Sequence, residues 1–377
     1  MPDVKDLRII ISCGGTGGHF NPGLGIAKEL ISQGGQAILF LGGKHVPAQM
    51  ETAKKAGVPA VSFRYVRPDR NPVALFGFAL SLIRGYRLTK RLIREHAPHA
   101  VLAMGSSVSL PPILAADRMH IPVFLHEGNA KVGKANRKLS RFAKEIELSF
   151  PAVNAGALRC PSFLTGFPLR KELTDSVLSK AEGIARINEL FHVSFSPEKP
   201  TILVFGGSLG ARSINENFDA DPDDPAVRDL QVIHLAGPGK TEPLKEKYKN
   251  FPCPVLLLEG TNEMSAVYAA SDVVISRSGG STVSELAFFG KYAFLVPYPY
   301  AAEHHQNDNA NWLASAGAAE IADDSACSPQ LFRAFVSRFL TDPRAFVEKG
   351  RQAQSIARPD AAKVVLERIA AGVSGES

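Results

Sequence analysis

Along most of the chain, short runs of apolar and β-branched residues alternate with longer stretches whose apolar positions recur every three or four residues. The short runs predict strands at Leu7–Ser12, Ala37–Leu41, Ala60–Phe63, Ala100–Ala103, Val123–His126 and Glu145–Leu148. The periodic stretches predict helices, among them Gly23–Gln33, Val73–Glu95 and Lys134–Phe142. The alternation then restarts, with strands at Thr201–Phe205, Val232–Leu235, Val255–Leu258, Val273–Ser276 and Ala293–Val296 and a helix from Ala211. β/α alternation of this kind predicts parallel sheets flanked by helices, built twice. The expected fold is α/β: two Rossmann-like domains facing across a cleft, with ligand loops at the carboxyl ends of the strands. The turn-rich "GFPLRKEL" (Gly166–Leu173) marks the boundary, placing the domains at 1–168 and 169–357. Pro343–Gly372 reads as two helices broken at Pro359.

Composition narrows this picture. A chain of 377 residues exceeds one ordinary core, and 45% hydrophobic content supplies enough material for two. The opening "MPDVKDLRIIIS" is acidic and then only strand-length in its apolar run, so no secretory leader is expected, and no apolar stretch is long enough to span a bilayer. The four cysteines, Cys13, Cys160, Cys253 and Cys327, are scattered. That spacing opposes a zinc site or a disulfide framework and suits a reducing cytosol. A net charge of +6 favours anionic partners without choosing among them.

The first strand runs into "GGTGGHFNP" (Gly14–Pro22) and then a helix. The third glycine of a dinucleotide fingerprint is missing, and so is the Gly-Lys-Ser/Thr of a P-loop. What remains is either a tight turn or a loop at a helix N-terminus, which favours bound phosphate. His19, at its mouth, reads equally as a packed or capping residue and as a general base. "GGSLGAR" (Gly206–Arg212) repeats the strand, glycine turn and helix, with Ser208 in the turn. In "SRSGG", Ser276–Gly280, a third strand ends on a turn, and Thr282 with Glu285 fits a capping box. The other reading places a diphosphate at that helix start, with Glu285 accepting from ribose hydroxyls. Asp219-Ala220-Asp221 spells a metal–nucleotide pattern, but in a proline-rich loop it reads as solvated surface.

Taken together, "GGTGGHFNP", "LHEGN" (Leu125–Asn129), "GGSLGA" (Gly206–Ala211), "RSGGSTVSE" (Arg277–Glu285) and "HQNDNA" (His305–Ala310) follow the order and spacing of the MurG family of glycosyltransferases, and the chain resembles that family over its whole length. The resemblance implies the GT-B fold, with a terminal helix (358–377) returning to the first domain. It implies inverting, metal-independent transfer of GlcNAc from UDP-GlcNAc to the 4-hydroxyl of MurNAc in lipid I, forming lipid II, with no cofactor. The first domain would serve the acceptor and membrane, the second UDP-GlcNAc. Carried over residue by residue, the positions expected to bind UDP-GlcNAc are Thr16, Gly17, Gly18, Asn129, Arg170, Ser208, Thr261, Gly280, Ser281, Thr282, Val283, Ser284, Glu285, His305 and Gln306. His19 is the candidate base, and Arg277 with the helix N-termini would stabilise phosphate charge. Gly128 and Phe167 depart from the family pattern, which commonly has Gln and Asn at these positions, and "EGTNEM" (Glu259–Met264) is a loose version of a segment that usually carries an aromatic and two acids.

A lipid acceptor requires a membrane surface. Asn71–His96 is apolar in its first half and basic in its second. Leu75, Phe76 and Phe78 would enter the interface while Arg84, Arg87 and Arg91 meet anionic headgroups, giving a peripheral protein on the cytoplasmic face of the plasma membrane. Other cell-wall synthesis proteins are expected partners; nucleic acid is not, since no aromatic platform interleaves the basic residues. The rival readings are another GT-B lipid glycosyltransferase using a UDP-sugar and a UDP-GlcNAc 2-epimerase.

Overall fold

The structure, a computed structural model, describes residues 3–67, 71–175 and 177–375. The chain divides into two compact units: Met1–Arg170 together with Arg358–Ser377, and Lys171–Ala357. The division falls inside the "GFPLRKEL" segment. Residues 376 and 377 of the returning segment lie outside the described residues.

The first unit holds a seven-stranded sheet, built from β1 (Arg8–Ser12), β2 (Gln36–Gly42), β3 (Ala60–Phe63), β4 (Ala100–Ala103), β5 (Val123–Glu127), β6 (Glu145–Leu148) and β7 (Ser162–Leu164). All pairings are parallel, in the order β3-β2-β1-β4-β5-β6-β7. The second unit has a six-stranded parallel sheet of β8 (Thr201–Phe205), β9 (Gln231–Leu235), β10 (Val255–Leu258), β11 (Val273–Ser276), β12 (Tyr292–Leu295) and β13 (Ala319–Ile321), ordered β10-β9-β8-β11-β12-β13. In both sheets the winding reverses beside the first strand, which opens a crevice at the strands' carboxyl ends. Central strands such as β4, β8 and β11 are buried at every position, which is why their sequences are unbroken apolar runs. The edge strands β7 and β13 are three residues each, too short to stand out as runs.

Helix α1 spans Gly17–Ser32, opening six residues ahead of the expected Gly23. Pro22 lies inside it and forgoes only the bond to the Gly18 carbonyl one turn back, so the helix survives its proline. Helix α2 is Val46–Lys55, and α3 runs Pro72–His96, capped by the Asn71 side chain accepting from the Val73 amide at 2.9 Å. The stretch expected as one helix at Lys134–Phe142 is an α-helix to Leu139 followed by a 3-10 turn.

The Ala361–Val373 helix packs on α1 and completes the core of the first unit, where Val365, Leu366 and Ile369 are fully buried among Leu7, Ile26, Leu30 and Phe124. Its Arg368 pairs with Glu145 on β6 at 2.5 Å and lies over the Phe163 ring at 3.3 Å. Glu147, two residues along the same strand face, is wholly buried, and neither carboxyl oxygen has a donor. Burial and the Glu145 carboxylate push its carboxyl well above the usual range, so it is held protonated.

Asp219 and Ala220 are not the solvated surface expected of Asp219–Asp221, although Pro222, Asp223 and Pro225 beyond them are exposed. Asp219 receives two bonds from Arg333, at 2.8 and 2.6 Å, and Ala220 is buried. The loop folds back onto the Pro329–Thr341 helix, and the pairing uses the carboxylate structurally.

Candidate functional site

In the first unit, β1 ends at Ser12 and the chain turns through Cys13–Gly15 into α1. A Cβ on Gly14 would lie 2.4 Å from the Gly42 amide nitrogen, so only glycine lets the loops after β1 and β2 pack this closely. Ser106 Oγ donates to the Gly14 carbonyl at 3.0 Å and Gln49 Nε2 to the Gly15 carbonyl at 3.2 Å, which pins the turn from both sides. Thr16 is the N-cap of α1 but makes no cap bond with its side chain. Its hydroxyl instead meets His19 Nδ1 at 3.1 Å. Thr16, Gly17 and Gly18 are exposed and His19 half-buried. The opening amides of a helix have no carbonyl a turn behind them, so this loop presents unbonded N–H groups beside an imidazole held by Thr16.

The "HEGN" segment leaves β5 nearby. His126 is buried, and its pKa falls to about 4 through desolvation, with the His19 charge adding to the shift. Sequence reasoning passed over Glu127. Its carboxylate, almost fully buried, accepts from the Asn129 amide (3.2 Å), Asn129 Nδ2 (3.1 Å), the Gly133 amide (2.9 Å) and Asn136 Nδ2 (3.0 Å). Glu127 thus fixes the orientation of Asn129. The available signal was a carboxylate at a strand's carboxyl end with amide-bearing residues just beyond it. Phe167 is buried edge-on to His126, and its ring edge is 3.3 Å from where a Cβ on residue 128 would stand. Gly128 and Phe167, both departures from the family pattern, are therefore neighbours in space. Arg170 is half-buried at the end of this unit.

The second unit gathers its residues at the ends of β8, β10 and β11. In the Gly206–Gly210 turn Ser208 is exposed, and a Cβ on Gly210 would meet the Ala236 carbonyl at 1.9 Å, so close packing and a φ of +68° both require glycine there. After β10, Thr261 Oγ1 accepts from the Glu263 amide at 3.0 Å. After β11, Gly279 is the N-cap of a helix spanning Gly280–Phe289. Neither Ser281 nor Thr282 caps it, and the capping box expected of Thr282 and Glu285 does not form; a capping box does form at Ser179 and Glu182. Glu285 instead turns inward, where Tyr268 and Ser281 donate to its carboxylate at 2.8 and 2.6 Å.

Val283 is misplaced by the sequence reading: its side chain is in the core and its amide bonds the Gly279 carbonyl, so it offers a ligand neither. Ser284 is buried too, while Gly280, Ser281 and Thr282 are partly exposed. Gln306 Oε1 accepts from the Tyr298 amide at 2.9 Å, and His305 Nδ1 bonds the Ala302 carbonyl at 2.8 Å, which leaves Nε2 as the nitrogen for a ligand. Both stand on the His305–Ser315 helix, entered through left-handed Glu303 and His304. Arg277, expected to stabilise phosphate charge, is engaged with protein groups. Its guanidinium donates to the carbonyls of Val296 and Pro297 and to Ser213 Oγ, and it pairs with Asp324 at 2.6 Å. A buried cation needs acceptors, and these four groups supply them within the protein.

A cavity of about 400 Å³ opens at the amino ends of β1 and β2, between Ile31, Pro59 and Pro98, away from these loops. Among the described residues, no group of three or more His, Cys, Asp or Glu side chains is placed to hold a metal ion.

Comparisons with known proteins bear on the family and the fold. Residues 9–147 match the glycosyltransferase family 28 N-terminal domain and residues 201–365 its C-terminal domain. The UDP-N-acetylglucosamine–N-acetylmuramyl-(pentapeptide) pyrophosphoryl-undecaprenol N-acetylglucosamine transferase of Thermodesulfovibrio yellowstonii is 30% identical over 374 residues, 96% of this chain and 97% of that one. The protein of the same name from Brucella anthropi is 32% identical over 382 aligned positions, covering 98% and 96%. Among solved structures, MurG of Acinetobacter baumannii aligns with a TM-score of 0.74 at 27% identity, over 97% of this chain and 99% of that one. The UDP-GlcNAc 2-epimerase of Neisseria meningitidis aligns with a TM-score of 0.66 at 11% identity over 97% and 100%, a likeness of fold alone. The architecture is GT-B.

Proposed function

The chain belongs to the MurG family of glycosyltransferases, and from that membership we propose that it transfers N-acetylglucosamine from UDP-GlcNAc to the 4-hydroxyl of N-acetylmuramate in lipid I, forming lipid II with inversion at the anomeric carbon. The observation that carries the reading is the Thr16–His19 pair at the open start of α1. For His19 to take the acceptor's proton, Nε2 must hold the lone pair. The tautomer that allows this has Nδ1–H donating to the Thr16 hydroxyl, the contact seen at 3.1 Å. As the hydroxyl attacks, Nε2 receives its proton, the new glycosidic bond forms, and the bond to UDP breaks with its electrons on the diphosphate. Thr16, Gly17 and Gly18, with Asn129, contribute to substrate binding from the first unit.

UDP-GlcNAc belongs to the second unit. The start of the Gly280–Phe289 helix takes the diphosphate, where the opening amides and helix dipole favour negative charge without a metal. Glu285 takes the ribose, the backbone at Thr261 takes uracil, and Ser208, His305 and Gln306 take the phosphates and sugar, with Arg170 at the donor's edge. Lipid I also sets the location. Among the described residues no helix is long and apolar enough to cross a membrane. The protein binds the membrane peripherally through α3, on the cytoplasmic face, where the other cell-wall synthesis proteins would meet it.

The test is transfer of labelled GlcNAc to a short-chain lipid I analogue in EDTA. Wild type is expected to be active, and His19→Ala to lose at least about 100-fold, the scale of general-base catalysis, while still binding UDP-GlcNAc. Transfer that survives in the variant removes His19 from the base position. Turnover of UDP-GlcNAc without acceptor, and no transfer with it, moves the protein to the epimerase reading.

A further inference from the structure

Glu285 is 7% exposed, and each of its carboxylate oxygens meets one hydroxyl of the protein: Tyr268 Oη on Oε2 at 2.8 Å and Ser281 Oγ on Oε1 at 2.6 Å. Tyr268 comes from a different helix, Met264–Ala270, and is wholly buried. Its ring is stacked on Phe289 at 4.9 Å and meets Phe205, the last residue of β8, edge-on at 6.2 Å. A wholly buried phenol stacked on one ring and set edge-to-face with another has little rotamer freedom, so its hydroxyl is aimed. Packing alone would have been served by phenylalanine.

A carboxylate accepts about four hydrogen bonds, two on each oxygen. The protein supplies one to each, leaving one acceptor position on each oxygen. Two neighbouring hydroxyls on a furanose ring need that arrangement. We propose that Tyr268 is a positioning residue: its hydroxyl fixes the Glu285 carboxylate in register for both ribose hydroxyls of the nucleoside diphosphate, and so makes the site select ribonucleotides over deoxyribonucleotides. This rests on the reading of Glu285 as the ribose ligand. Tyr268 touches no substrate itself. It acts by denying the carboxylate its other rotamers and by donating to the charged form.

The experiment is calorimetric binding of UDP and 2′,3′-dideoxy-UDP to wild type, Tyr268→Phe and Glu285→Ala, with KM and kcat for UDP-GlcNAc measured alongside. Phenylalanine keeps the stacked ring, so the fold is retained. Tyr268→Phe is expected to weaken UDP about tenfold, the scale of one hydrogen bond to a charged group, and to leave dideoxy-UDP unchanged. KM for UDP-GlcNAc rises by the same factor while kcat holds. Equal weakening of both ligands, which a purely structural tyrosine would produce, overturns the proposal, as does unchanged UDP binding. If Glu285→Ala keeps the wild-type preference for UDP, the failure lies in the ribose role of Glu285 and the proposal falls with it.

Discussion

Single residues here do work that their identities do not announce. Arg277, offered by its sequence position to a phosphate, is consumed by two carbonyls, a hydroxyl and Asp324. Glu285 looks like half of a capping box and is instead a buried acceptor shared by Tyr268 and Ser281. Gly128 and Phe167 are best tested as a pair, because the phenylalanine ring fills the space beside residue 128. Gly128→Gln alone is expected to cost about 1–3 kcal/mol, as overpacking does. Adding Phe167→Asn should give a double variant whose loss falls short of the two single losses summed by about 1 kcal/mol, measured by a urea double-mutant cycle. Strict additivity would show that the two departures are unrelated. The glycine loops and the histidine beside them were legible in the sequence because close backbone approach leaves a compositional mark. The partners of Arg277, Glu285 and Gly128 were not, since they come from segments up to 64 residues away.

At the level of elements, α3 carries the expected two-part character with one change. Phe76 is 72% and Leu75 47% exposed, and Arg84, Arg87 and Arg91 are exposed, but Phe78 is half-buried against Tyr65, ring centroids 6.1 Å apart. Val73 and Ile83 are exposed in addition. Each cation near an anionic surface contributes about 1 kcal/mol. Reversing Arg84, Arg87 and Arg91 to glutamate should therefore release the protein from phosphatidylserine vesicles in a sedimentation assay; undiminished sedimentation would remove α3 from the membrane. The contact of β6 with the returning Ala361–Val373 helix makes a different prediction. Glu147 is held protonated in the fold, whereas an unfolded glutamate titrates at its ordinary value of 4.5. The folded state then binds more protons above that pH, and stability falls as pH rises toward the raised folded value. Arg368 opposes this shift and Glu145 enlarges it. Glu147→Gln removes the slope, so its stability relative to wild type should improve from pH 5 to pH 8 in urea unfolding. A pH-independent difference would mean the carboxyl is not held neutral. Helix α3 could be read from its periodicity; the Glu145–Glu147–Arg368 contact could not, because it joins residues 223 positions apart.

Across the whole molecule, each unit buries a neutral histidine near its sheet. Desolvation lowers His126 to about 4 in the first unit and His234 to about 3 in the second, where Tyr248 and Asn215 hold both ring nitrogens. Both folded values lie below the unfolded value of 6.5, so the unfolded chain binds the extra proton and stability is lost as pH falls below 6.5 toward the folded values. Each histidine should cost about 2 kcal/mol between pH 8 and pH 5. His126→Gln should abolish its share in urea unfolding at the two pH values; an equal loss in the variant would assign the acid sensitivity elsewhere. By itself the sequence determined the number of units, the parallel α/β architecture and the glycine loops at the strand ends. Apolar runs buried on both faces, repeated turns and glycines at crowded corners are properties a linear pattern must carry. Only the tertiary structure decided which charges are spent inside the protein and which remain for a ligand. That choice depends on which strand ends and helices meet, and a side chain's donors and acceptors are assigned only once its neighbours from distant segments are in place.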